Sequence, residues 1–175
     1  MITELGGHAG ITTGNPALDI GNGNDWSVAL YGNVGLNDPA SSLTECTAMG
    51  GGFATTTFAN SGPDAFPGTW YSTIVALIPN TTGGDQTATL QLRAWYNDGG
   101  TTTSFGNALA EGYPAGTSAL ANLTATGGVI SDGPALTAPF LPSGLGNFAV
   151  AIPVPEANTI ALCVTGRFGA GSNVN

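Results

Sequence analysis

The chain has 175 residues, of which 42 % are hydrophobic and only 7 % charged, and its formal net charge is −9. An ordinary soluble domain carries roughly 25 % charged residues, whereas here lysine is absent and Arg93 and Arg167 are the only strong bases. So few cations cannot displace counterions from phosphates or pair with an anionic lipid surface, which excludes nucleic acid and acidic membranes as partners.

The length suits one domain that buries about two-thirds of its unfolded surface. The hydrophobic content supports a core and argues against disorder. The 28 glycines and 11 prolines fall between apolar runs without a repeat, so they read as turns. Low charge with abundant Thr, Ser, Asn and Gly fits life outside the cell. Met1 to Ile11 holds an acid and no basic cluster, so no signal peptide is expected there, and an exported form would be the mature chain.

The segment 1–24 is polar and Gly-rich, with apolar points at Ile2, Leu5, Ile11, Leu18 and Ile20. It reads as an N-terminal edge strand or as an arm that docks on a neighbour. At its end, Asp19, Asn22, Asn24 and Asp25 place oxygen ligands in a Gly-rich loop, faintly like a calcium loop but without the distal acid of an EF-hand. An Asx/Gly turn explains the same residues. Structural Ca²⁺ is thus the only cofactor in view, and a weak one.

A β domain is expected over 25–152. Asp25 to Asn33 alternates as a strand, and Asn37-Asp-Pro39 turns the chain into a loop with weak strand character from Leu43 to Phe58. Gly62-Pro63 and Pro67-Gly68 mark another turn. Trp70 to Ile78, apolar at nearly every position from Ile74, then a turn over Asn80 to Asp85, then alternating Thr87 to Tyr96, predict a long central β-hairpin. The alternation predicts one buried face for the second strand. Ser104 to Glu111 is the one expected helix, capped by Ser104 and ended by Gly112. Strands are expected over Ser118 to Thr126, Asn147 to Ile152 and Thr159 to Thr165, the last in a tail spanning 153–175. The predicted fold is an all-β antiparallel sandwich, Ig-like or jelly-roll-like, with at most one short helix and with Val28, Leu30, Ile74, Leu90, Leu92 and Tyr96 in its core.

Catalytic chemistry finds little to work with. His8 is the sole histidine, so a Ser-His-Asp or Cys-His arrangement would have to run through it, and the carboxylates are spread singly. No catalytic residue is assigned. Trp70, Tyr71, Trp95 and Tyr96 form adjacent pairs, each strand sending one ring inward and one outward; the outward rings would stack on sugar or on a neighbouring subunit. Cys46 and Cys163 lack a metal-knuckle spacing and form either a disulfide or two buried thiols. Asn80 and Asn122 head glycosylation-type sequons.

Three stretches carry a resemblance: Trp26-Ser-Val-Ala-Leu-Tyr-Gly32; Leu90-Gln-Leu-Arg-Ala-Trp95 followed by Asn97-Asp-Gly-Gly100; and Val154-Pro-Glu-Ala-Asn-Thr-Ile-Ala-Leu162. Together they resemble bacterial PEP-CTERM proteins, which exosortase systems sort to the cell surface or matrix. Ala157 departs from that pattern, standing where its second proline belongs. The apolar run after Asn158 is also far shorter than the ~20 residues that span a bilayer. The likeness implies an extracellular or cell-surface place, with a degenerate sorting tail and no membrane span. The expected function is a non-catalytic structural subunit of a surface or biofilm-matrix filament or layer, a homopolymer joined by β-strand contacts. Ile2, Leu5, Ile160 and Leu162 are the candidate assembly residues. The alternative is a carbohydrate-binding or adhesin module, with glycans as partners.

Overall fold

The structure, a computed structural model, describes residues 5–8, 10–11, 25–57, 69–72, 75–129, 135–145 and 148–150. The N-terminal arm forms β1 (Leu5–His8) and β2 (Gly10–Ile11), and the first long strand is β3 (Trp26–Val34). Four short strands follow: β4 (Thr44–Glu45), β5 (Thr47–Ala48), β6 (Thr55–Thr57) and β7 (Thr69–Ser72). Next come β8 (Ala76–Leu77), the second long strand β9 (Ala88–Tyr96) and the helix α1 (Phe105–Glu111). The described chain closes with β10 (Ala115–Thr117), β11 (Ala121–Leu123), β12 (Gly128–Val129), β13 (Ala135–Leu136) and β14 (Ala149–Val150). The fold is therefore mainly antiparallel β, as expected, with a single α-helix among the described residues.

The main sheet is organised on β3 and β9, which pair antiparallel over nine residues from Trp26↔Tyr96 to Val34↔Ala88. β4 and β6 line the far side of β3, and β10 and β11 line the far side of β9. Four two-stranded sheets complete the molecule: β1–β7, β5–β8, β12–β13 and the parallel pair β14–β2. On one face of the main sheet, Trp26, Val28, Leu30, Ala88, Leu90, Leu92 and Ala94 pack against Cys46, Ala54, Ala76, Ile78, Leu145 and Val150. A second layer of short sheets and loops so covers this face, giving a sandwich-like arrangement. Val28, Leu30, Leu90 and Leu92 are core residues as predicted, and Tyr96 packs partly buried against them; Ile74 lies outside the described residues.

Two expectations need correction. The central hairpin does not form: β9 pairs with β3, while β8 pairs with β5 and β7 with β1. Nine residues connect β8's neighbour Ile78 to β9, and Asn80 and Asp85 both adopt positive φ. Tight hairpins use loops of about two residues; this longer, twice-bent link carries the chain from the second layer into the main sheet. Ala76 and Ile78 are apolar because they face the core from that layer. The second correction concerns β9, whose alternation predicted one buried face. Both faces are covered, because Ala29, Tyr31, Leu43 and Trp95 form a smaller cluster with Ala108 of α1 on the opposite side.

The local signals fare better. Ser104 accepts a hydrogen bond from the Asn107 amide as the helix N-cap, and Gly112 ends the helix in the left-handed region at φ 74°. The strand expected over Ser118 to Thr126 is shortened to β11, and Ser118 lies outside it, its hydroxyl accepting from the Leu92 amide at 2.9 Å. The strand expected over Asn147 to Ile152 is reduced to β14. At the middle of β3, Gly32 faces Leu90, and a Cβ there would lie 2.9 Å from Leu90 Cδ2 and 3.3 Å from Cys46 Sγ. A side chain there would have to displace the Leu90 methyl and crowd Cys46 and Ile78.

Candidate functional site

The polar-rich face of the main sheet gathers the densest set of functional groups. Arg93 stands mid-strand on β9 opposite Ala29, with Tyr31 two residues further along β3. Its guanidinium carbon sits 4.1 Å from the Tyr31 ring centroid and 5.5 Å from that of Phe105, the first residue of α1. Arg93 Nε donates to Gln91 Oε1 at 3.1 Å, and Nη2 donates to the Ala40 carbonyl at 2.7 Å. Gln91 in turn donates to the Ser118 carbonyl at 3.0 Å. The Tyr31 hydroxyl donates to Glu45 Oε2 at 3.2 Å, and Thr55 donates to Glu45 Oε1 at 2.8 Å.

Electrostatics follow from that enclosure. Burial pushes the Tyr31 hydroxyl well above the ordinary tyrosine range, and the Glu45 carboxylate pushes it the same way. Burial lowers the Arg93 guanidinium, with Tyr31 and Glu45 pulling it back up. The cluster holds a cation between two rings and fastens the helix start and the Ala40 turn to the sheet. What it does chemically is clamp.

A second group lies at one end of the sheet. Trp26, Tyr96 and Tyr113 make successive edge-to-face contacts, with centroids 5.6 Å and 5.5 Å apart. The Tyr113 hydroxyl donates to Asp98 Oδ2 at 3.3 Å, and Asp98 also accepts from Thr101. The Asp98 carboxylate raises the Tyr113 hydroxyl, while burial, Asp25 and Asp98 raise that of Tyr96. Tyr96 and Tyr113 are half-buried and Trp26 is buried.

At the opposite end, both sequon asparagines enter one hydrogen-bonded chain. Asn80 Nδ2 donates to Asn33 Oδ1 at 3.1 Å, and Asn33 Nδ2 donates to Asp38 Oδ2 at 2.9 Å. The Asp38 amide donates to Thr89 Oγ1 at 3.1 Å, and the Thr89 hydroxyl is shared between the Gly35 carbonyl at 2.9 Å and Asn122 Oδ1 at 3.2 Å. Asn122 Nδ2 closes the chain on Asn37 Oδ1 at 2.8 Å. Both sequon side chains are exposed, yet both amide nitrogens hold neighbouring loops together.

No family model, curated protein or solved structure matches the chain.

The other expected residues divide between described and undescribed regions. Asp25 is partly buried, and its carbonyl accepts from the Asn97 amide at 2.7 Å, which continues the β3–β9 pairing past Trp26↔Tyr96. Asp19, Asn22 and Asn24 lie outside the described residues. Among the described residues, no three of His, Cys, Asp or Glu group to hold a metal. Leu5 belongs to β1 and pairs with Ser72 of the same chain, and His8 pairs with Thr69. Ile2, Ile160 and Leu162 lie outside the described residues. Cys46 is a fully buried free thiol, pushed up to about 12 by burial and by Glu45; Cys163, its expected partner, lies outside. Trp95 is buried and its Nε1 donates to the Thr102 carbonyl at 3.0 Å, so it faces no sugar. The rings of Trp70 and Tyr71 fall outside the described side chains.

Sequence reasoning missed the Arg93 clamp. The available signal was a lone arginine in the middle of an otherwise uncharged strand, where a charge survives only if it is satisfied.

Proposed function

We propose that the chain is a non-catalytic subunit of an extracellular structural assembly, joined to further copies of itself by β-strand contacts. The observation that carries this reading is the make-up of the sheet edges. Three strands flanking β3 and β9, namely β4, β10 and β11, are two or three residues long and consist of Thr, Ala, Gly, Asn and Leu, with Glu45 their only charge. Natural monomers guard such edges with charge, lysine above all, because unpaired N–H and C=O groups template another strand. This sequence has no lysine to place there. The PEP-CTERM-like stretches support a place at the cell surface or in the matrix.

The N-terminal arm offers one route. β1 closes antiparallel on β7 of its own chain, and the same register would let it close on β7 of a neighbour, as in domain swapping. The tail beyond Pro153 and Pro155, with Ile160 and Leu162, is the second donor. Electron microscopy of purified protein should show filaments or sheets. Deleting Met1 to Thr13, or Asn158 to Asn175, should leave a folded subunit that no longer polymerises. Normal assembly by both truncations would remove strand exchange from consideration.

A second reading rests on the half-buried Tyr96 and Tyr113 beside Asp98, an aromatic surface with a carboxylate at hand, as sugar-binding proteins use. Binding of the monomer to a glycan array, lost in Tyr113→Ala, would favour it.

A further inference from the structure

The sheet β5–β8 inverts the usual rule for a covered strand pair. Antiparallel sheets with one buried face alternate apolar-in and polar-out. Here Ala48 pairs with Ala76 on the inner side, and Cys46, Ala54 and Ala76 are completely buried. On the outer side, Phe53 bridges to Thr47, which pairs with Leu77, so the three share one row; Met49 opens the turn just after β5, its amide donating to the Val75 carbonyl at 2.9 Å. Phe53 and Met49 are each 62 % exposed and Leu77 38 %. Three of the seven exposed large apolar side chains among the described residues therefore lie together, around an open Gly50–Gly52 turn. Isolated exposed apolar residues are ordinary, but a shared face of them marks an interaction surface.

We propose that this outer face, carrying Met49, Phe53 and Leu77, is a contact between two copies of the chain. The inference rests on the assembly reading above and assigns it a surface. Charge selects the occupant. The face is cut from two runs without a single charged residue, 46–63 and 65–84, in a chain of net charge −9. The nearest flanking acid in the first run, Glu45, is turned to Tyr31 and Thr55. A basic partner would seek carboxylates, and among the described residues this face presents none. Two identical acidic chains repel each other least across a neutral surface, and a two-fold contact sets the same patch on itself. Phe53 also leads through Ala54 directly into β6, which pairs with β3, so this face is continuous with the main sheet.

Sedimentation of the full-length chain over a range of concentration and salt tests the proposal. The wild type should self-associate, and more tightly as salt rises, because screening removes the like-charge repulsion. Phe53→Asp should weaken association by on the order of a hundredfold, since the contact would bury two unpaired carboxylates. Mixing F53D with F53K should restore a heterodimer. Circular dichroism and thermal melting show whether F53D stays folded; Met49→Glu, at an equally exposed turn position, gives the same readout if it does not. Undiminished association of both acidic variants would overturn this face while leaving strand-mediated assembly in place. A wild type that stays monomeric at every concentration and salt would overturn both, and would leave the face to a partner other than this chain.

Discussion

On one face of the main sheet, Val28, Leu30, Leu90 and Leu92 join an apolar cluster with Ile78, Leu145 and Val150. One residue along the same two strands, the opposite face carries Arg93 between Tyr31 and Phe105, with Gln91, Thr89 and Ser27 buried beside them. The first face is held by area removed from water, which has no direction and tolerates small shifts. The second is held by directed bonds whose loss strands a partner: Ala40's carbonyl, Glu45's carboxylate, Ser118's carbonyl. A short helix can cover a polar face only when each buried polar group finds such a partner.

The largest effect should come from the apolar face. Leu92→Ala leaves a cavity in a side chain that is 1 % exposed, and should cost about 2–5 kcal/mol in denaturant unfolding. A cost near zero would mean that the second layer does not seal this face. Arg93→Ala should cost less, about 1–3 kcal/mol, mainly by orphaning the Ala40 carbonyl and uncovering the Tyr31 ring. Arg93→Lys should recover little of it, because a point charge replaces a planar fork. Equal losses for Leu92→Ala and Arg93→Ala would erase the distinction between the faces.

The smallest effect is a pH dependence confined to the polar face. The Tyr31 hydroxyl is raised in the folded state by burial and Glu45, from an ordinary value of 10.0. Above that value the unfolded chain loses its proton first, so unfolding is favoured as pH rises. The stability Tyr31 contributes is full below pH 10 and declines as pH climbs toward its folded value. Tyr31→Phe should flatten that alkaline decline in thermal melts, while leaving the Leu92→Ala penalty unchanged. A decline of the same steepness in Tyr31→Phe would place its origin elsewhere, with Tyr96 and Tyr113 next in line.

What the sequence made legible was local. The nine-residue alternation of β3 and of β9, the Ser104 cap and the Gly112 stop are each written within a few consecutive residues, and each element stands where its pattern put it. The pairing of β9 was not legible, because strand neighbours in sequence are the default partners and nothing in Thr87 to Tyr96 names Trp26 to Val34. The clamp on Arg93 was hidden for the same reason: Tyr31, Glu45, Ala40 and Phe105 come from four separate segments that only the folded sheet brings together. The Asn80 and Asn122 sequons were visible as motifs, but their convergence through Asn33, Asp38 and Thr89 was not.

The β3–β9 ladder joins residues 54 to 70 positions apart, from Val34↔Ala88 to Trp26↔Tyr96. Closing so long a loop must precede any reward from the contact, and topologies of this kind fold slowly. During synthesis at roughly 5–20 residues per second, β3 would wait on the order of 3–12 seconds for the far end of β9 to exist. Through that interval Trp26, Val28 and Leu30 have no native strand to cover them on the β9 side. The chain therefore spends its nascent life with one of its two long strands unpaired, when capture by a chaperone or by a second nascent copy competes with its own folding.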